Sequence, residues 1–231
     1  TDDEIIQIQI KKFFPQASKF SISRRFEIFA ERFILSNSCE FSHARAYSVA
    51  SMLKPLLNFD RLESLNQPDS NAIDFNNLSI LCLGCKDSLE VSFAKRYFRF
   101  GKKPLVKGLD LISNNKDITV GNILNIPFEK ESFDIVISSH SLEHVSDYKL
   151  ALNEMFRVTK KNGYVCLEVP INWTGKKSKI RAPIRSDHDT DLWDFVDDDL
   201  LKELVEATGL KVVCTHVNFS ARVCRLIAKK K

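Results

Sequence analysis

The sequence predicts an α/β protein built on a doubly wound, mostly parallel sheet. From residue 78 onward, short apolar runs alternate with segments of helical periodicity. The clearest run is 133–137, where Ile135, Val136 and Ile137 are consecutive β-branched residues, as in a strand buried on both faces. The last two predicted strands are joined by a short link and should therefore pair antiparallel at a sheet edge.

The predicted elements follow one another with few interruptions. The strands are 78–83, 104–109, 118–120, 133–138, 164–169, 210–217 and 222–228, and the helices are 89–100, 150–158 and 200–207. Asn162-Gly163 predicts a turn into the fifth strand, and Gly209 ends the last helix. Residues 171–194 are polar and lack periodicity, which is typical of a long functional or mobile loop.

The first 75 residues have a different pattern, which predicts helices. Apolar residues recur at helical spacing around Phe26 and Phe33, and a second helical stretch covers 42–57. The turn-rich segment 66–71 predicts the boundary between a helical segment, 1–75, and an α/β domain, 76–231. The helices could cap a ligand site or cover one face of the sheet, and the sequence leaves both open.

Composition excludes several classes of protein. The 231 residues are 44% hydrophobic and carry a net charge of +4, so a dedicated nucleic-acid binder is not indicated. No apolar run approaches the ~20 residues that span a bilayer. The C-x-x-C pair Cys82 and Cys85 lacks a second pair at zinc-site spacing. We therefore expect a cytoplasmic protein with reduced cysteines.

Titratable side chains gather after the fourth strand. His140, Glu143 and His144 lie within about one turn of its end, together with Ser141. In open α/β sheets, ligands bind beyond the carboxyl ends of the strands, so this cluster predicts a site. The alternative is an ordinary solvated connection between a strand and a helix.

Five short motifs occur in a recognisable order. They are VGN at 120–122, IPF at 126–128, SFD at 132–134, LEH at 142–144 and RVTKKNG at 157–163. In this order the chain resembles the class I S-adenosylmethionine-dependent methyltransferases, most closely the group that acts on small molecules. The resemblance implies a Rossmann-like sheet with strand order 3-2-1-4-5-7-6, amino-terminal helices that cap the site, and methyl transfer to oxygen or nitrogen of a small acceptor.

The resemblance also implies which residues bind S-adenosylmethionine. Asp110 would accept hydrogen bonds from the ribose hydroxyls, and Leu111 would lie against the adenine face. Asn122 and Ile123 would meet the adenine edge. The methionine portion would lie against the following residues: Leu83, Gly84, Cys85, Ser138 and Ser139.

Departures from the family pattern leave an alternative open. The glycine-rich turn has Cys82, Lys86 and Ser88 where the family has an acid and two glycines, and Asn122 replaces an aspartate. A degenerate methyltransferase fold that serves as a binding or scaffold module is therefore the rival hypothesis.

Two histidines are candidates for catalysis. His140 and His144 are suitable bases because imidazole titrates near neutral pH, and His140 is favoured because it lies nearest the strand end. A structural role for His140 is the alternative. With Glu143 and His188 the pair could also form a metal site, but we predict none, since Glu143 in a first helical turn suits the helix dipole.

The long loop has a basic half followed by an acidic half. Its cations are Lys176, Lys177, Lys179, Arg181 and Arg185. They could hold an anionic group of the acceptor, or they could be a solvated surface. Nucleic acid is the less favoured substrate, no membrane partner is expected, and the acceptor and oligomeric state are left open.

Overall fold

The sheet has seven strands, with an additional two-stranded ribbon. The structure, a computed structural model, describes residues 49, 52–53, 56, 73–74, 77–85, 89–97, 103–113, 115–171, 184–185, 193–195, 197–218 and 222–231. The strands are β1 (Ser79–Leu83), β2 (Leu105–Asp110), β3 (Ile118–Val120), β4 (Phe133–Ser139), β5 (Thr159–Pro170), β6 (Ile184–Arg185), β7 (Trp193–Asp194), β8 (Leu210–Asn218) and β9 (Val223–Lys230). The helices are α1 (Leu89–Tyr97), α2 (Tyr148–Val158) and α3 (Asp198–Glu206), with a 3₁₀ turn at Leu142–His144.

The strand order confirms the predicted fold class. The main sheet runs β3-β2-β1-β4-β5-β9-β8, which is the predicted order with β8 and β9 as its sixth and seventh strands. The first five strands are parallel, and β9 is antiparallel to both of its neighbours. The strand order reverses between β1 and β4, where doubly wound sheets place their ligands.

Both faces of the sheet are buried, as the unbroken apolar runs predicted. Along β4, Val136 faces a core formed with α2 and α3, whereas Ile135 and Ile137 face a core formed with α1. The second core also includes four helical residues of the amino-terminal segment at helical spacing: Val49, Met52, Leu53 and Leu56. These four residues cover a face of the sheet.

The main difference from the predicted elements lies in β5. The predicted turn at Asn162-Gly163 is part of the strand, which begins at Thr159. The pairing with β4 shifts from Phe133 opposite Thr159 to Ile135 opposite Tyr164, so extra residues form a bulge on β5. Asn162 has a φ of +63°, a conformation that asparagine tolerates better than most residues.

The predicted loop 171–194 is described only in part. Two of its short segments, β6 and β7, pair as an antiparallel ribbon, which the sequence did not predict. Phe195, directly after β7, is buried and packs edge-on against Tyr148 of α2, with the ring centroids 6.1 Å apart. The ribbon is thereby joined to the core beside the 3₁₀ turn.

Other predictions fall wholly or partly outside the described residues. They include the first amino-terminal helix, the linker 66–71, Lys86, Ser88, His188 and most of the basic loop. The boundary between 1–75 and 76–231, and the capping role of the helices, therefore stay predictions. None of the helices in the described segments has the length and apolarity to cross a bilayer.

Candidate functional site

A cleft of about 780 Å³ opens at the carboxyl ends of the first four strands. Its walls come from the segments that follow β1, β2, β3 and β4. The lining residues are Gly84, Asp110, Leu111, Ile112, Ser113, Gly121, Asn122, Ile123, Leu124, His140, Ser141, His144, Val145 and Ser146. The cleft therefore lies at the reversal point of the sheet.

The turn after β1 shows why glycine is required at its first position. Gly84 has a φ of +67°, and a Cβ there would lie 2.1 Å from Ser141 Oγ. The Ser141 hydroxyl lies 3.2 Å from Leu83 O and 3.1 Å from Ser139 O, so it can donate to a carbonyl of either turn. Ser141 thus packs the turn after β4 directly against the turn after β1.

Asp110 ends β2 with its carboxylate at the cleft. Among the described residues it accepts only one hydrogen bond, a long one of 3.4 Å from the Ile112 amide to Oδ1. The apolar side chains that follow are bare: Leu111 is 65% exposed and Ile112 is 80% exposed. A hydrogen-bonding carboxylate beside uncovered apolar surface suits a ligand with both polar and apolar parts.

The wall after β3 is a tight turn. Asn122 Oδ1 accepts a hydrogen bond of 2.9 Å from the Leu124 amide, and Asn122 O accepts one of 3.0 Å from the Asn125 amide. The Gly121 amide donates to Asp110 O at 2.8 Å, which joins this turn to the end of β2. Because its side-chain oxygen is used within the turn, Asn122 orders the wall itself.

His140 lies in a network of charged groups rather than alone. Its Nδ1 is 3.2 Å from Glu143 Oε1, and its Nε2 is 3.0 Å from Glu168 Oε1. Glu168 Oε2 accepts a hydrogen bond from Arg225 Nε of β9. The backbone of His140 has a φ of +49°, and its amide donates to Glu168 O at 2.9 Å.

This network determines the charge of His140. Burial of the ring opposes the charged form, but hydrogen bonds to Glu143 and Glu168, and their negative charges, outweigh burial and raise the pKa of His140 to about 10. The ring is therefore an imidazolium at neutral pH, and both of its nitrogens donate. A ring in that state has no free lone pair with which to accept a proton.

The predicted site residues fall into two groups. Asp110, Leu111, Asn122 and Ile123 line the cleft together with Gly84, His140 and His144. The side chains of the other four predicted residues are enclosed, with about 1% exposure each: Leu83, Cys85, Ser138 and Ser139. Any contact between these four and a cofactor stays a prediction.

The buried thiols do not provide a nucleophile. Burial raises the pKa of the Cys85 thiol to about 12, and Cys82 is shifted in the same direction for the same reason. The five cysteines in the described segments form no disulfide. Within those segments no three His, Cys, Asp or Glu side chains converge to hold a metal, and His188 lies outside them.

Sequence reasoning missed six residues that line the cleft. They are Ile112, Ser113, Gly121, Leu124, Val145 and Ser146. Most of them stand next to a residue that was predicted, so following each strand end for two more positions would have found them. Glu168 and Arg225 carried no such signal, because they reach His140 from β5 and β9.

Comparisons with known proteins agree with this geometry. Residues 88–167 match the family model of a methyltransferase domain. The chain is 34% identical over 119 residues to a demethylmenaquinone methyltransferase of Staphylococcus haemolyticus, covering 43% of this chain and 50% of that protein. A protein of the same name from Oceanobacillus iheyensis is 37% identical over 79 residues, 34% of this chain and 32% of that protein.

Solved structures share the fold at low sequence identity. The SpnF [4+2]-cyclase superposes with a TM-score of 0.55 at 16% identity, covering 74% of this chain and 81% of that chain. The 1,6-didemethyltoxoflavin-N1-methyltransferase of Burkholderia thailandensis gives 0.53 at 12% identity, covering 81% and 87%. One fold thus serves two differently named reactions, so the fold alone does not determine the reaction.

These matches confirm the predicted resemblance and support the predicted enzyme class and cofactor. The chain spans half or less of the length of the two relatives named above. Their activities are therefore a basis for proposals about this chain.

Proposed function

We propose that this chain, whose residues 88–167 match a methyltransferase-domain family model, is an S-adenosylmethionine-dependent enzyme of class I that methylates a small molecule. Oxygen or nitrogen of the acceptor would receive the methyl group. The observation that supports this most strongly is the cleft at the reversal point of the sheet, with the open Asp110 carboxylate beside it.

The residues of the cleft fit the proposed cofactor. The Asp110 carboxylate is free to accept hydrogen bonds from vicinal hydroxyls, and Leu111 with Ile123 offers apolar surface to a purine. Gly84 lets backbone approach a ligand without a Cβ in the way. S-adenosylmethionine, when bound, would supply an electrophilic methyl group on a positively charged sulfur.

The chain then has to align the acceptor and remove a proton where the acceptor carries one. Alignment of the reacting atoms supplies much of the rate of a displacement reaction. We assign the base role to His144, which lines the cleft, because both ring nitrogens of His140 donate to carboxylates. His140 instead fixes the turn between β4 and the 3₁₀ segment.

The acceptor that fits the described part of the cleft is uncharged and largely apolar. Among the lining residues that the structure describes, the cationic side chain is the His140 imidazolium, and both of its ring nitrogens already donate to Glu143 and Glu168. The names of the relatives refer to a quinone and to a toxoflavin, so a planar ring system is the class of acceptor we propose. An anionic acceptor would depend on the basic loop.

Calorimetric titration with S-adenosylmethionine and with S-adenosylhomocysteine tests this proposal. We expect saturable binding of both, followed by formation of S-adenosylhomocysteine when a suitable ring acceptor is added. No binding at millimolar cofactor would reject the proposal and favour the scaffold alternative. Binding to RNA or DNA that weakens steeply with salt would favour a nucleic-acid substrate.

A further inference from the structure

The wall after β3 is fixed by two charged side chains of α2 that lie outside the cleft. Glu154 and Arg157 are three residues apart on this helix and are joined by hydrogen bonds. Arg157 Nε is 2.6 Å from Glu154 Oε1, and Arg157 Nη2 is 2.7 Å from Glu154 Oε2. Neither residue lines the cleft. We call this pair the Glu154–Arg157 clamp.

The clamp holds backbone groups of the segment 121–128 that no strand or helix satisfies. Arg157 Nη1 donates to Phe128 O at 2.8 Å, and Arg157 Nη2 donates to Ile126 O at 2.8 Å. In return, Glu154 Oε2 accepts from the Ile126 amide at 2.7 Å. One acid and one base thereby make three hydrogen bonds to a short irregular segment.

Satisfying these groups matters because the segment is anchored in the core. Ile126 is only 2% exposed and packs with α2, so its amide and carbonyl are largely withdrawn from water. Buried backbone polar groups need partners. The segment 121–128 makes some bonds within itself, such as the one from the Phe128 amide to Ile126 O, but the Ile126 amide and the Phe128 carbonyl are bonded by the clamp. The planar guanidinium can reach two carbonyls at once, which an ammonium group cannot do in the same fixed geometry.

The two ends of the segment are therefore fixed in different ways. Gly121 is hydrogen-bonded to the end of β2, whereas Ile126 and Phe128 are held by the clamp. Between these ends lie Asn122, Ile123 and Leu124, all of which line the cleft. The position of this wall therefore depends on both ends.

We propose that Glu154 and Arg157 are positioning residues that pre-form the cofactor-binding wall of the cleft by holding 126–128 in place. The proposal rests on the proposed function for the identity of the ligand, but not for the ordering of the segment. It also explains why the IPF motif and the arginine of the fifth motif occur together, because the arginine binds the carbonyls of that motif.

Two variants test the clamp, and a third is the matched control. Arg157→Lys keeps the charge but loses the planar fork, and Glu154→Gln keeps the size but loses the charge. Lys95→Gln breaks the pair of Lys95 and Asp117, which is also 2.6 Å long and partly exposed but involves none of the cleft residues.

Hydrogen exchange of the ligand-free protein is the first readout. In both clamp variants, the amides of Leu124, Ile126 and Phe128 should exchange about ten-fold faster, whereas amides of β4 and β5 keep their protection. The second readout is affinity for S-adenosylhomocysteine, which should fall about ten-fold in both clamp variants. KM for the cofactor should rise with kcat nearly unchanged, and Lys95→Gln should show none of these effects.

The outcomes separate the two proposals. Unchanged exchange in the segment 121–128 of both clamp variants would overturn the clamp, whatever the protein binds. Faster exchange with unchanged affinity would overturn its role at the cofactor wall. If the unmodified protein binds no S-adenosylhomocysteine, the proposed function fails, and the exchange data still decide whether the clamp orders the segment.

Discussion

Two aspartates lie at opposite ends of the parallel strands of the same sheet, and they differ in how many hydrogen bonds the protein itself donates to them. Asp134, at the start of β4, accepts hydrogen bonds at Oδ2 from the Ser79 amide at 2.8 Å, the Ser79 hydroxyl at 2.6 Å and Lys160 Nζ at 2.9 Å. Asp110, at the end of β2, accepts one long hydrogen bond within the described part of the chain. One carboxylate is satisfied by its own protein, and the other is available to a ligand.

The difference shows that the sequence motifs form two groups. One group lies at the amino-terminal ends of the parallel strands, and the other lies at their carboxyl ends. The SFD motif places Asp134 at the amino-terminal ends of the strands, where it joins β1 to β4 and stabilises the fold. The LEH motif and Asp110 lie at the carboxyl ends of the strands, beside the cleft. Substitutions at the amino-terminal ends should therefore lower stability, whereas substitutions at the carboxyl ends should lower turnover or cofactor affinity.

The largest effect is expected on turnover, from substitution of His144 at the carboxyl ends of the strands. If it accepts the acceptor's proton, His144→Gln should lower turnover by ~10²–10⁴-fold, the usual contribution of a general base. Cofactor affinity should change little. Single-turnover rates across pH measure this, and equal rates in variant and wild type would mean that alignment alone drives the reaction.

The second-largest effect is expected on cofactor affinity, from substitution of Asp110. Asp110→Ala removes an acceptor of two charge-assisted hydrogen bonds of ~1.5–3 kcal/mol each, so cofactor affinity should fall by a factor of ten or more. The urea midpoint should stay close to that of wild type, since the carboxylate accepts one long hydrogen bond from the residues that the structure describes. Titration calorimetry and chemical unfolding give the two numbers, and undiminished affinity would mean that the ribose site lies elsewhere.

Asp134 should show the opposite result. Asp134→Ala leaves the nearly buried Ser79 amide without its partner and should lower the free energy of unfolding by about 1–3 kcal/mol. Affinity for the cofactor should be retained. Lys160→Gln, which removes only an exposed partner, should cost less than ~1 kcal/mol. A loss of cofactor affinity in the folded Asp134 variant would contradict the division between stabilising residues at the amino-terminal ends of the strands and binding residues at their carboxyl ends.

The last prediction concerns the pH dependence of stability. The pKa of His140 is raised from 6.5 to about 10 in the folded protein by Glu143 and Glu168, against the effect of burial. Its stabilisation is therefore complete below about pH 6.5 and is lost as the pH rises through about 10. The difference in urea midpoint between wild type and His140→Asn should shrink from pH 6 to pH 10. A constant difference would mean that folding does not raise the pKa of His140.

The fold was more predictable than the site for a physical reason. Strands such as β4 are specified by local runs of β-branched residues, and a pattern along one segment is visible in the sequence. Asp110 ends such a run and His144 lies shortly after another, so these two cleft-lining residues could be named from the sequence. The bulge in β5 was not found, because Asn162-Gly163 specifies a left-handed residue without saying whether the chain turns or bulges there.

The charge state of His140 could not be predicted at all. It depends on burial of the ring and on Glu143 and Glu168, and Glu168 is brought beside the ring by pairing of β5 with β4. The clamp was hidden for the same reason, since Arg157 contacts carbonyls of a segment that precedes its helix. Motif order identified Arg157, but its role depends on tertiary contacts, and Glu154, Glu168 and Arg225 lie in none of the five motifs.

The position of β9 has a consequence for synthesis on the ribosome. β9 follows every other described strand in the chain, yet it lies inside the sheet, between β5 and β8. Until it emerges, β5 exposes the backbone groups of an unpaired edge flanked by apolar side chains, which is a template for association with other chains. Glu168 also lacks Arg225 during that interval. Pairing of this last described strand therefore covers the open side of β5, and it also completes the charge network beside the cleft.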